Sequence, residues 1–220
     1  MPFGIDAFVA RWPFAYHLTS SENVQRIRST GRLETAAALM ERAGCLEWLR
    51  VKRSEHVEVV VNGAAVMLRD QKPLYERNVL WADGWQLGDL VEALNRRVFF
   101  WPGGISGPRD HGRRHFERYR DEGPVILRAP ILDLLSCNPG MIPMFCAFNS
   151  GSPRWSGGQA SPRGMDTFVG AERFPRRVSE VVELTFAGGV DLPNMTEVSR
   201  SVDGPWALLG TDAFTVRETA

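Results

Sequence analysis

The chain has 220 residues, a length that suits one domain, residues 1–220, with room for an elaborated edge. Its 44% hydrophobic and 24% charged content is the usual globular mix, so a sizeable core can be buried. The 26 basic and 26 acidic residues cancel, which removes any global field toward nucleic acid or an anionic membrane and leaves open only a local basic face.

Cys45, Cys137 and Cys146 are odd in number and widely spaced, which argues against a disulfide framework and against zinc. The opening "MPFGIDAFVARWPF" lacks the pattern of a signal peptide, and no stretch is apolar for long enough to span a bilayer. The expectation is a soluble, cytoplasmic protein with no membrane partner.

In chain order, "FAYHL" (14–18) predicts a short buried strand that ends on His17 and Leu18. Ser20 or Ser21 caps a helix with Val24 and Ile27 on one face, and Gly31 stands where a left-handed C-terminal residue belongs. Thr35 opens a second helix, with Leu39, Ala43 and Leu46 as its apolar stripe. "VEVVVNGAAVMLRDQ" (57–71) predicts a hairpin turning at Asn62-Gly63, two residues that tolerate positive φ. Val66 and Leu68 then share one face of its second strand, and Arg69 follows at its end.

"LGDLVEALNRR" (87–97) is helical and runs into the aromatic strand "VFFW" (98–101). A Gly/Pro/Arg loop to about 112, a charged helix over 113–121, the strand "PVILRA" (124–129) and the short helix "ILDLL" (131–135) follow. "HGRRH" puts His111 and His115 at i,i+4; with no third ligand evident, it reads as a solvated or phosphate-facing patch. From Asn149 to about residue 170 the chain is rich in Gly, Ser and Pro, and it reads as a binding loop or lid. "SEVVELTF" (179–186) is a strand, and more strand-like sequence occurs around 196–202. Glu183 sits between Val182 and Leu184, a costly place for a carboxylate unless it faces a polar cleft or a partner. On a regular strand Glu180 and Glu183 point apart and make no catalytic pair.

Three polar groups therefore stand out: His17, Arg69 and Glu183. The ordered set "YHLT", a helix ending "G-x-L", "VFFW" and "VVELTF" resembles the ADP-ribosyltransferase fold, an α+β split β-sandwich with inserted helices. Within that fold the set is similar to DarT-type toxins, which attach ADP-ribose to thymidine bases of single-stranded DNA. "LRDQ", "LNRRVFFW", "NSGS" and "RGMDTF" resemble an uncharacterised bacterial domain family of the same fold.

The resemblance implies a mono-ADP-ribosyltransferase that takes NAD as substrate, needs no metal and releases nicotinamide. It implies catalytic roles for Glu183, at the nicotinamide ribose, and for Arg69, near the phosphates and the acceptor base. His17, Thr19, Ser20, Asn149 and Ser150 would hold the dinucleotide. Tyr75 or an aromatic among Phe99, Phe100 and Trp101 would line the nicotinamide. Arg154, Trp155 and Arg163 would face the acceptor. Such a toxin or defence effector is expected to meet an antitoxin or an ADP-ribosyl hydrolase.

Two alternatives compete: transfer to RNA, protein or a small molecule, and a non-catalytic nucleotide- or protein-binding member of the fold. A catalytic cleft needs His17, Arg69 and Glu183 on one cavity. A polyanionic acceptor needs the 149–170 loop and the basic 108–120 segment to converge on it.

Overall fold

The computed structural model describes residues 3–155 and 158–211. It is a mixed helix and sheet structure, entered through helix α1 (Ile5–Arg11). Strand β1 (Phe14–Ser20) leads directly into α2 (Ser21–Thr30), which stops at Gly31 with φ 62°, a left-handed conformation that glycine adopts without a Cβ clash. The two-residue strand β2 (Arg32–Leu33) precedes α3 (Ala36–Arg42), where the Thr35 hydroxyl accepts from Ala38 N–H at 3.1 Å. That helix ends earlier than its apolar stripe predicts, and Leu46 lies beyond it, 59% exposed.

Strands β3 (Val57–Val61) and β4 (Ala64–Leu68) form the expected hairpin, with Asn62 and Gly63 at φ 55° and 78°. Val59, Val61, Val66 and Leu68 pack beneath it on Leu39 and Met40 of α3. The short β5 (Val79–Trp81) precedes α4 (Leu87–Asn95) and the long β6 (Arg97–Gly104). A tight return, β7 (Gly107–Pro108), fills part of the expected loop, and α5 (Asp110–Arg118) starts three residues before its predicted position.

The remaining elements are β8 (Pro124–Pro130), α6 (Ile131–Cys137), β9 (Met144–Cys146), β10 (Ser161–Arg163), β11 (Glu183–Ala187), β12 (Val190–Asp191), β13 (Glu197–Ser199) and β14 (Ala207–Leu208). The 149–170 segment is therefore structured in part, because β10 pairs in parallel with β5. The strand expected over 179–186 begins only at Glu183. Val178–Glu180 is a single helical turn, and the Glu180 carboxylate accepts from Arg177 N–H at 3.1 Å.

The main sheet runs β14-β13-β8-β1-β6-β11-β9. Its centre explains the site. β1 pairs with β6 only from Phe14↔Gly103 to Tyr16↔Trp101, whereas β11 pairs with β6 from Leu184↔Phe100 to Ala187↔Arg97. One strand thus belongs to two half-sheets, and the sheet opens between them where His17 begins. Phe100, Phe145, Phe186 and Leu184 fill the core below.

Candidate active site

His17 sits at that opening. Its partner across the gap is no backbone amide: Nδ1 lies 2.8 Å from the Phe99 carbonyl oxygen. Burial pushes the ring pKa down to about 4, against the raising effect of that bond, so the imidazole is neutral. A neutral ring that donates from Nδ1 keeps Nε2 as an acceptor.

Along β6, Arg97, Phe99 and Trp101 alternate on one face and line a cavity of about 300 Å³. Phe100, expected as a cofactor-lining aromatic, points the other way. It is 2% exposed in the core, 6.0 Å from the Phe186 ring, because strand parity puts successive side chains on opposite faces.

Arg69 reaches the same cavity from the end of the hairpin. Asn23 of α2 anchors that hairpin by bonding both backbone groups of Met67, at 2.9 and 3.0 Å. The Arg53 Nε–H donates to the Arg69 carbonyl at 2.8 Å. The Arg69 guanidinium lies 4.2 Å from the Tyr119 ring centre, and its Nε and Nη1 are buried with no acceptor among the described residues. Burial lowers its pKa. The Tyr119 hydroxyl donates to Asp70 at 3.1 Å, which fixes the ring under Arg69.

Glu183 opens β11 and is 4% exposed. Leu184 and Phe186 point into the core, which leaves Glu183 on the cavity side. Its two oxygens accept from the Ser150 backbone N–H at 3.2 and 3.1 Å, and among the described residues no cation is bonded to them. Burial therefore dominates and pushes the carboxyl up to about 7, against the lowering effects of Ser150 and Arg163. The Ser150 hydroxyl is buried with no well-formed hydrogen bond among the described residues, though it lies near enough to Glu183 to lower that carboxyl's pKa.

Arg163 explains how Ser150 is held. It is 1% exposed, with Nε–H donating to the Ser150 carbonyl at 3.1 Å and Nη2–H to the Asn149 carbonyl at 2.9 Å. Nη1–H donates to the Ser161 hydroxyl and the Pro162 carbonyl at 2.7 and 2.8 Å. Phe148 covers the guanidinium at 4.0 Å. This arginine, expected at the acceptor, borders a neighbouring cavity but is a buried clamp: its donors are committed to the Ser161 hydroxyl and to carbonyls of the loop that holds Glu183.

Thr19, Ser20, Asn149 and Ser150 line the cavity with His17, Arg69 and Glu183. Tyr75 does not; it is 52% exposed and lines a separate surface cavity. Arg154 lines two neighbouring cavities. Trp155 is 58% exposed and lines none of the three.

Arg53 and Arg97 are among the cavity residues that the sequence reading did not place here, and His115, read as part of a solvated or phosphate-facing patch, faces this cavity instead. Arg97 was legible, since the parity of "RVFFW" aligns it with Phe99 and Trp101. His115 packs between Trp101 and Tyr119, with ring centres 4.9 and 5.0 Å away and the planes tilted by 48° and 54°. Burial, then Arg69 and Arg118, push it down to about 3. Among the described residues no group of three or more His, Cys, Asp or Glu side chains is placed to hold a metal ion, and no helix is long and apolar enough to cross a membrane.

The site is thus a cavity at a sheet opening that holds a buried carboxylate without an ion pair, a neutral imidazole and an arginine with spare donors. Residues 13–197 match the model of a family of unknown function, DUF7002, and the chain belongs to that family. No curated protein and no solved structure matches it.

Proposed function

We propose that this protein is an ADP-ribosyltransferase of the split β-sandwich fold that uses NAD as donor. The observation that carries the reading is the convergence of His17, Arg69 and Glu183, from three distant segments, on one cavity. NAD supplies a glycosidic bond whose cleavage develops positive charge on the ribose, and the residues present suit each of its parts. Spare Arg69 donors suit a phosphate. His17 Nε2 and the Ser150 hydroxyl suit ribose hydroxyls. Glu183, once ionised in a low-dielectric setting, stabilises the developing cation as carboxylates do in glycoside cleavage.

The acceptor implied by the resemblance, a nucleobase in single-stranded DNA, completes the reading, with a hydrolase or antitoxin as the counterpart in the cell. Incubation with NAD and single-stranded oligonucleotides of each base composition is expected to release nicotinamide and add one ADP-ribose mass to one base. Glu183→Gln, folded by circular dichroism, is expected to reduce both about 100- to 1,000-fold. Intact NAD in every mixture would leave only the non-catalytic alternative or another acceptor.

A further inference from the structure

Two more cavities open beside the first, of about 530 and 370 Å³. The larger shares His115, Asn149 and Ser152 with the first cavity. The smaller shares Arg118, Ser152 and Arg154 with the larger, so the three are contiguous. The segments expected to converge if the acceptor is polyanionic do meet here: Arg114 and Arg118 come from α5, and Arg154 from the loop after Asn149.

The charge on this surface is one-sided. Arg176 joins those three arginines, Lys72, which is paired with Asp70 at 3.5 Å, lines the far end, and among the described residues no Asp or Glu lines either cavity. Arg114, Arg118, Arg154 and Arg176 have no carboxylate partner among the described residues. In a chain of net charge +0, this concentration is local. The field is felt nearby, where Arg114, Arg109 and Arg154 add to burial in lowering the His111 pKa. Four unpaired guanidinium groups around one trough repel each other, and an anion that spans them relieves that repulsion. The far cavity adds an exposed ring, Tyr75, with Lys52 at 5.6 Å and Arg77 at 5.8 Å from its centre.

We propose that these two cavities form a track for a single-stranded polynucleotide. Its phosphodiesters lie on Arg114, Arg118, Arg154 and Arg176, and one base stacks on Tyr75. The strand reaches the first cavity through the opening at His115, Asn149 and Ser152. A charged groove beside an exposed aromatic is the arrangement that binds single strands, whose free bases can stack. A duplex keeps its bases stacked within and offers none to Tyr75. That the track delivers an acceptor rests on the transferase reading; that it binds a strand does not.

The test is fluorescence anisotropy with labelled eight-nucleotide DNA, RNA and duplex DNA, without NAD, across a salt series. Single strands are expected to bind in preference to duplex, with log K falling against log salt at a slope of about −2 to −3 for three or four phosphate contacts. The DNA and RNA arms decide which polynucleotide the track prefers. Arg118→Glu with Arg154→Glu is expected to lower affinity at least about tenfold and flatten the slope. Tyr75→Ala is expected to lower it about fivefold or more. Each is checked for an unchanged melting curve.

Glu183→Gln is expected to bind strands as the wild type does. Strand binding without any transfer would keep the track and remove the transferase reading. NAD cleavage without strand binding, or binding indifferent to the arginine reversals, would overturn the track.

Discussion

The two cavities that meet at His115 handle charge in opposite ways. The first buries its titratable groups: Glu183 is held at about 7, His17 at about 4 and His115 at about 3. The second carries four of its five lining arginines at the surface, where Arg114, Arg118, Arg154 and Arg176 are exposed and only Arg163 is buried. Burial moves a group's proton equilibrium and shields it from salt. Exposure leaves a charge screened, able to attract a partner from a distance but worth little to stability. One chain thus sets chemistry apart from attraction, and each side can be broken without the other.

The largest effect is expected at the buried carboxylate. Glu183→Gln should reduce transfer about 100- to 1,000-fold, the range seen when a transition-state charge partner is removed. Nicotinamide release measures it, and a residual rate within about threefold of wild type would remove Glu183 from the chemistry.

Next comes the clamp. Arg163→Met leaves the Asn149 and Ser150 carbonyls without their donors in a buried setting, and should cost about 3 kcal/mol of stability. Urea denaturation reads this directly. A stability equal to wild type would mean that the loop finds other partners.

Arg69→Lys keeps the charge but loses the planar set of donors over Tyr119. The expected result is about a tenfold rise in KM for NAD with a smaller change in kcat. An unchanged KM would sever Arg69 from the dinucleotide.

The smallest effect is a change of slope with pH. Glu183, protonated up to about 7 in the folded state against 4.5 ordinarily, adds stability below pH 4.5 that is lost as pH rises to 7. His17 and His115 do the reverse: stability present above 6.5 is lost as pH falls toward about 4 and about 3. The contributions oppose each other between pH 4.5 and 6.5. Glu183→Gln should therefore show a steeper rise in Tm across that window than wild type, and no decline from 6.5 to 7. Parallel curves would mean that Glu183 stays ionised when buried.

The arginines show how far sequence reasoning reaches. Arg69, Arg154 and Arg163 look alike in the chain, each next to a turn or loop. In the folded protein Arg69 lines the first cavity, Arg154 rims the second at the surface, and Arg163 borders the second too but is walled in by carbonyls of residues 149 and 150. Periodicity cannot separate them, because each fate depends on what a distant segment brings. The aromatics divide the same way. Strand parity by itself separates Phe99 from Phe100, whereas Tyr75 lies in no regular element and its place follows from packing alone.

What the sequence determined by itself is local. Gly31 ends α2 and Asn62-Gly63 turns the hairpin, because positive φ is a property of those residues. The alternation of β6 and β11 turns Phe100, Leu184 and Phe186 inward, and so leaves Arg97, Phe99 and Glu183 facing the cavity. Only the tertiary structure decided where the sheet opens, since that depends on β6 leaving β11 for β1 between Phe100 and Trp101. It alone decided that Ser150 would reach Glu183, and that α5 would carry its arginines to the rim of a second cavity. A buried charge takes its character from neighbours far away in the chain, and those neighbours are assembled only by the fold.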